Sequence, residues 1–339
     1  NRINANKDGV IDALIMIYTP PITTTGEIWW AFRSSASAVQ SYEGLPPFYD
    51  YFWCSYKFFY EAVNGHTITD EEIRNGTYKP DAHTLIHEFG HVLSLPDYYV
   101  TDYNTKDYAG MGCLDMMDNN IGDHNAISKA WYGWIEPYVV SETTTITINS
   151  TTDTGEFIIV PIAGNTFSTL MDQYICIEFM TPTGVAEKDG KQKLLGHYPL
   201  FYNEAGIRII HVDARLGIYK YINNQGWTFT GFTTRVGSGD GQYVSTACEN
   251  TATESCFANY KLLEVVPATG KSISTYGGKP QNPADNTVLY KAGDVFGGTV
   301  WQDYMMHAKD GKNTVPFGYT ISIDAIDGNN SATITITKK

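Results

Sequence analysis

The chain has 339 residues, with 23 Lys+Arg against 37 Asp+Glu for a formal net charge of −14. That balance excludes the basic footprint needed to hold nucleic acid or to dock on anionic lipid. With 42% hydrophobic residues the chain can bury a core and is not disordered.

At roughly 150 residues per domain the length predicts about two domains. No apolar run nears the ~18 residues of a membrane span, the best being residues 13–18. The chain opens at Asn1 without a Met, a basic segment or an apolar leader, so residues upstream are expected to have been removed or left out. Cys54, Cys113, Cys176, Cys248 and Cys256 include no C-x-x-C pair, so a cysteine zinc site is not expected. Cys248 and Cys256 can close a short loop.

In chain order, Asn4, Asn6, Asp8, Gly9, Val10 and Asp12 follow the 1, 3, 5, 6, 7, 9 spacing of a calcium loop, with Gly at the sharp turn and Val10 offering its carbonyl. Position 12 of that loop is Ile15 rather than Glu, which excludes a full EF-hand. An apolar strand is expected over 13–18 and an aromatic one over 27–32, the latter an edge able to pair with an extended peptide. Apolar residues at three- and four-residue spacing predict helices over 37–40, 52–63 and 83–93. Asp123 is the expected N-cap of a helix running from 125 toward 134. From Thr143 the pattern becomes short β-branched bursts, at 145–148, 157–160, 174–179, 206–212, 319–323 and 332–337, punctuated by Gly, Pro, Asn and Asp. The boundary between the two textures falls near 137–142, giving domains 1–141 and 142–339.

The chemistry concentrates in His87-Glu88-Phe89-Gly90-His91. On a helix, residues four apart share a face, so both imidazoles reach one ion while Glu88 stands beside them as a base for the attacking water. Pro96 forces the helix to stop by Leu95, and Asp97 follows just past the bend. Catalytic zinc takes three protein ligands. A thermolysin-type third ligand would be a downstream Glu, yet none occurs between Val92 and Ile135. Asp97 instead stands where H-E-x-x-H-x-x-G-x-x-H has its last ligand. Met116 and Met117, within 112–118, supply a Met-containing turn, Met117 being the favoured residue.

The runs H-E-F-G-H-V-L-S-L-P-D-Y-Y at 87–99, D-M-M-D-N-N at 115–120 and G-D-H-N-A-I-S-K-A-W-Y-G-W at 122–134 resemble the immune inhibitor A-like metallopeptidases, secreted bacterial enzymes of the metzincin clan. The 4–12 loop and G-I-R-I-I-H-V-D-A-R at 206–215 extend the likeness. By position, the resemblance implies His87, His91 and Asp97 as zinc ligands, Glu88 as catalytic base and Met117 as the Met-turn residue. It also implies an α+β chain: a metzincin-like zinc-protease domain, lacking its N-terminal part, followed by an all-β sandwich or jelly-roll-like domain.

Two positions depart from the motif. Ser94 replaces the Gly that would turn the chain left-handed, at a cost of about 1 kcal/mol. Asn119 stands where some relatives carry an oxyanion-holding Tyr, leaving Tyr98, Tyr99 or His124 as substitutes.

The expected activity is that of a secreted or cell-surface zinc endopeptidase acting on protein or peptide, with zinc and calcium as cofactors. A surface- or carbohydrate-binding protein with a vestigial peptidase site is the alternative, and a hydrolase of non-peptide amides a third. The β half is expected to contact a surface or glycan. Asp115, Asp118 and Asp123 read as a solvated acidic loop in preference to a cation site. His211 and Asp213 read as a hydrogen-bonded structural pair in preference to a second metal pair. His66, His83, His197 and His307 read as ordinary surface or core residues.

Overall fold

A computed structural model describes residues 9–20, 28–35, 47–60, 68–100, 110–193, 200–223, 226–234, 242–251, 260–273, 275–276, 279–280, 285–310 and 313–339. Strands take up 37% of the chain and helices 15%, the latter all short. The expected mixed α+β zinc-protease domain of metzincin type is therefore corrected to a mostly β chain with several sheets. One helix expectation differs in the same sense. Residues 52–55, assigned to a helix, belong to strand Asp50–Ser55, in which Phe52 and Cys54 alternate inward with nothing exposed. Alternation over an aromatic-rich run selects the extended chain. The helix expected over 37–40 lies outside the described residues.

The chain divides into two compact units, Asn1–Pro96 with Lys193–His197, and Asp97–Gln192 with Tyr198–Lys339. In the first, strand Asp50–Ser55 lies between Leu14–Tyr18, which runs parallel to it, and Phe32–Ser35, which runs antiparallel. The aromatic strand expected over 27–32 is shifted, since residues 28–30 form a turn and pairing begins at Phe32. Helix His83–Val92 packs on the strands at 32–35 and 50–55.

In the second unit, a five-stranded sheet runs in the order Leu263–Val265, Gly206–Asp213, Gln173–Met180, Phe157–Pro161, Tyr138–Val139. A four-stranded sheet runs Val295–Phe296, Tyr319–Asp327, Ser331–Lys338, Thr144–Asn149. One apolar cluster draws on both, with Ile175, Ile177, Ile207 and Ile209 from the first and Ile321, Ile323, Ile334 and Ile336 from the second. A three-stranded meander of Leu216–Ile222, Gly226–Thr233 and Gln242–Thr246 carries exposed Tyr221 and Trp227. Among the described residues no helix is long and apolar enough to cross a membrane.

Candidate metal centre

Helix His83–Val92 begins without a cap from Ala82, and Asp81 serves instead, its Oδ1 accepting from the His83 N–H at 2.8 Å. Its far end forms a Schellman turn. The Leu95 N–H reaches back to the Gly90 carbonyl at 3.0 Å and the Ser94 N–H to His91 at 2.9 Å. Ser94 takes φ = 75°, the left-handed position that glycine fills more cheaply. The bend expected from Pro96 is therefore made two residues earlier, and Pro96 follows it.

This bend orients the ligands. The Leu95 carbonyl lies 2.8 Å from His91 Nδ1, taking that ring's N–H, so that the lone pair that could face a metal is on Nε2. The ligand atoms of His87, His91 and Asp97 all lie within 4.8 Å of one another, and all three residues are half-buried. The two imidazole rings are 4.9 Å apart at right angles to each other. Glu88, between them in sequence, is buried. Burial, and then the negative charge of Glu88, push the Cys54 thiol up to about 11, so Cys54 remains protonated near neutral pH.

The residue after Asp97 is fixed at every polar atom. The Tyr98 N–H donates to the Met117 carbonyl at 2.7 Å, its carbonyl accepts from Asn250 Nδ2 at 3.1 Å, and its hydroxyl pairs with Ser128 Oγ at 2.8 Å. Met117 is fully buried, as are Met111 and Met116. The Met-containing turn thus meets the third ligand's neighbour through its backbone. Burial raises the Tyr98 hydroxyl well above its usual range, and with Ser128 as partner it is a structural group rather than the oxyanion donor considered for it.

Asp115 and Asp118 are not a solvated loop; both are buried. Asp115 accepts from the Met117 N–H, the Asn125 N–H and Asn125 Nδ2, at 2.7–2.8 Å. Asp118 accepts from the Cys113 N–H at 2.7 Å, and burial pushes its carboxyl up to about 7. Asn125, not Asp123, caps helix Ala126–Trp131, while Asp123 pairs with Lys129. Beneath this loop lies a buried ion pair that no local spacing announces. Arg208 reaches Glu178 through Nε at 2.6 Å and Nη2 at 3.0 Å, and its Nη1 donates to the Leu114 carbonyl at 2.8 Å. Glu178 in turn accepts from the Ala126 N–H at 2.7 Å. Both ends of the 114–126 loop are therefore held by one ion pair.

Of the calcium-loop residues, Asn4, Asn6 and Asp8 lie outside the described residues, while Gly9 has φ = 88°, as a sharp turn requires. Cys248 is buried, and its suggested partner Cys256 lies outside the described residues. His211 and Asp213 do not bond each other: Asp213 bonds His307, which is thereby not an ordinary isolated histidine.

The donor set suits a borderline divalent ion. Two imidazole nitrogens and one carboxylate oxygen, partly open to solvent, form a three-ligand group of the kind that leaves a fourth position for water or substrate. No family model matches the chain, and no curated protein matches it in sequence.

Proposed function

We propose that this chain is a secreted zinc-dependent endopeptidase. The observation that carries the reading is the convergence of His87, His91 and Asp97 ligand atoms within 4.8 Å, with Glu88 between the two histidines. The likeness of 87–99 and 115–134 to immune inhibitor A-like metallopeptidases supports it. His87, His91 and Asp97 would hold the ion, which when bound polarises a scissile carbonyl and lowers the pKa of water beside it. Glu88 takes the proton of the attacking water and passes it to the leaving amine. The Leu95 carbonyl keeps His91 in the tautomer that presents Nε2. The bonds at Tyr98 hold the chain on the far side of Asp97.

Calcium at Asn4–Asp12 remains part of the proposal on spacing alone. The proposal includes a glycan or surface contact at the meander, supported by Tyr221 and Trp227, which are 60% and 50% exposed with ring centres 5.7 Å apart.

The test is digestion of casein and a peptide library with and without chelator, wild type beside Glu88→Ala. Cleavage that chelator stops, zinc restores and Glu88→Ala lacks supports the reading. Wild-type protein that holds zinc and cleaves nothing overturns it.

A further inference from the structure

A second pair of imidazoles meets far from the helix motif in sequence, where strand Gly206–Asp213 lies near strand Met305–His307. The ring centres of His211 and His307 are 4.5 Å apart, close to the 4.9 Å between His87 and His91. Each ring has Nδ1 engaged. His211 Nδ1 lies 3.1 Å from the Tyr304 hydroxyl, and His307 Nδ1 lies 2.9 Å from Asp213 Oδ2.

Asp213 is fully buried and held by Arg215 Nε and Nη2, both at 2.6 Å, and by Gln173 Nε2 at 2.9 Å. An ionised Asp213 can only accept, so His307 carries its proton on Nδ1 and its lone pair on Nε2. A carboxylate behind an imidazole is the arrangement that orients metal-binding histidines. Tyr260 stacks on the His307 ring at 3.5 Å and 6°, fixing its plane.

His211 supplies the second observation. It is 2% exposed, and its Nε2 has no hydrogen-bond partner. Leaving such an atom buried and unsatisfied costs about 1–3 kcal/mol.

We propose that His211 and His307 form a second metal site, binding a divalent transition ion of the Cu2+, Ni2+ or Zn2+ class through their Nε2 atoms. Solvent or a small anion completes the coordination. Nitrogen donors exclude calcium and magnesium, and with two protein ligands rather than three the affinity order should follow the donor chemistry, copper first. The Glu264 carboxylate, 4.0 Å from His211 Nδ1, offsets the charge of the ion.

The test uses the full chain carrying His87→Ala and His91→Ala, stripped with chelator and titrated with Cu2+. One equivalent is expected, with an electron paramagnetic resonance signal split by two nitrogens. Adding His307→Gln, which keeps a donor for Asp213, or His211→Asn should weaken uptake at least tenfold. No stoichiometric uptake, or uptake that neither change alters, overturns the site. In wild type, Cu2+ with ascorbate should oxidise His211 and His307 as well as the helix pair. Oxidation spread over other histidines while these two are spared likewise overturns it, and this reading needs no variant to fold. Wild type that binds a single equivalent, retained when His87 and His91 are replaced, would sink the helix centre while leaving this one standing.

Discussion

The two histidine pairs are built by opposite means. His87 and His91 meet because a helix puts residues four apart on one face, and a single backbone carbonyl, that of Leu95, sets the ring of His91. His211 and His307 meet because strand Gly206–Asp213 and strand Met305–His307 come together from distant parts of the chain. The helix pair is half-buried beside a buried acid, Glu88. In the sheet pair His211 is buried and His307 half-buried, beside Tyr260 and Tyr304 with Asp213 and Arg215 behind them. The difference teaches that the ring spacing is common to both, whereas access and the adjacent base are not. In the proposed reading hydrolysis belongs to the helix pair, beside Glu88.

Breaking the helix side should have the largest effect. Glu88→Gln is expected to lower kcat by about 10²–10⁴-fold, the usual worth of a positioned general base, with zinc uptake unchanged. Equal loss of zinc would mean that Glu88 serves the fold rather than the proton transfer.

The next effect lies beneath the loop that meets Tyr98. Arg208 and Glu178 are 3% and 1% exposed, so Arg208→Ala leaves an unpaired buried carboxylate and should cost about 3–5 kcal/mol in urea unfolding. It should also weaken zinc binding, because the Leu114 carbonyl loses its donor and the loop carrying Met117 is freed. A variant destabilised this far with undiminished zinc affinity would disconnect the loop from the third ligand.

Acid sharpens the sheet side. His211 stays neutral in the fold, so below about pH 6.5 the unfolded chain takes up a proton that the native chain refuses, and stability falls as pH falls. Asp213, held low, adds a second loss as pH drops below about 4. Asp118 and Asp189, both pushed up to about 7 by burial, act in the opposite sense, since they bind protons more readily when folded. The His211 contribution is therefore the difference between wild type and His211→Phe in metal-free urea titrations. That difference should shrink from pH 7 toward pH 5; a pH-independent difference would show that His211 does not stay neutral.

The smallest effect concerns the bend. Ser94→Gly removes a left-handed non-glycine residue and should raise stability by about 1 kcal/mol without altering zinc uptake.

The helix and the nearness of Asp97 to His87 and His91 were legible because both depend on local chain geometry: the i, i+4 spacing, the Schellman turn and the bend before Asp97. The strands at 157–160, 174–179, 206–212 and 332–337 were legible from β-branched runs. The strand at 50–55 was misread because its aromatic and apolar residues fit a helical spacing as well as an extended one, and only burial of Phe52 and Cys54 decides between them. The α+β fold was implied by the resemblance around 87–134, and local likeness there does not set the strand content of the whole chain, which is mostly β. Asp115 and Asp118 looked like surface acids because nothing local announces that the N–H groups of Cys113, Met117 and Asn125 would surround them. The His307–Asp213 and Arg208–Glu178 pairs depend on strand pairing, and no spacing rule reaches across it.

The most direct test of the central claim, that residues 87–97 make a three-ligand centre, is zinc competition against a chromophoric chelator for wild type and Asp97→Ala. Loss of an outer partner alone costs 10–100-fold, so loss of Asp97 should weaken zinc by more than about a hundredfold while His83–Val92 stays helical. Equal affinity in the two proteins would contradict the account.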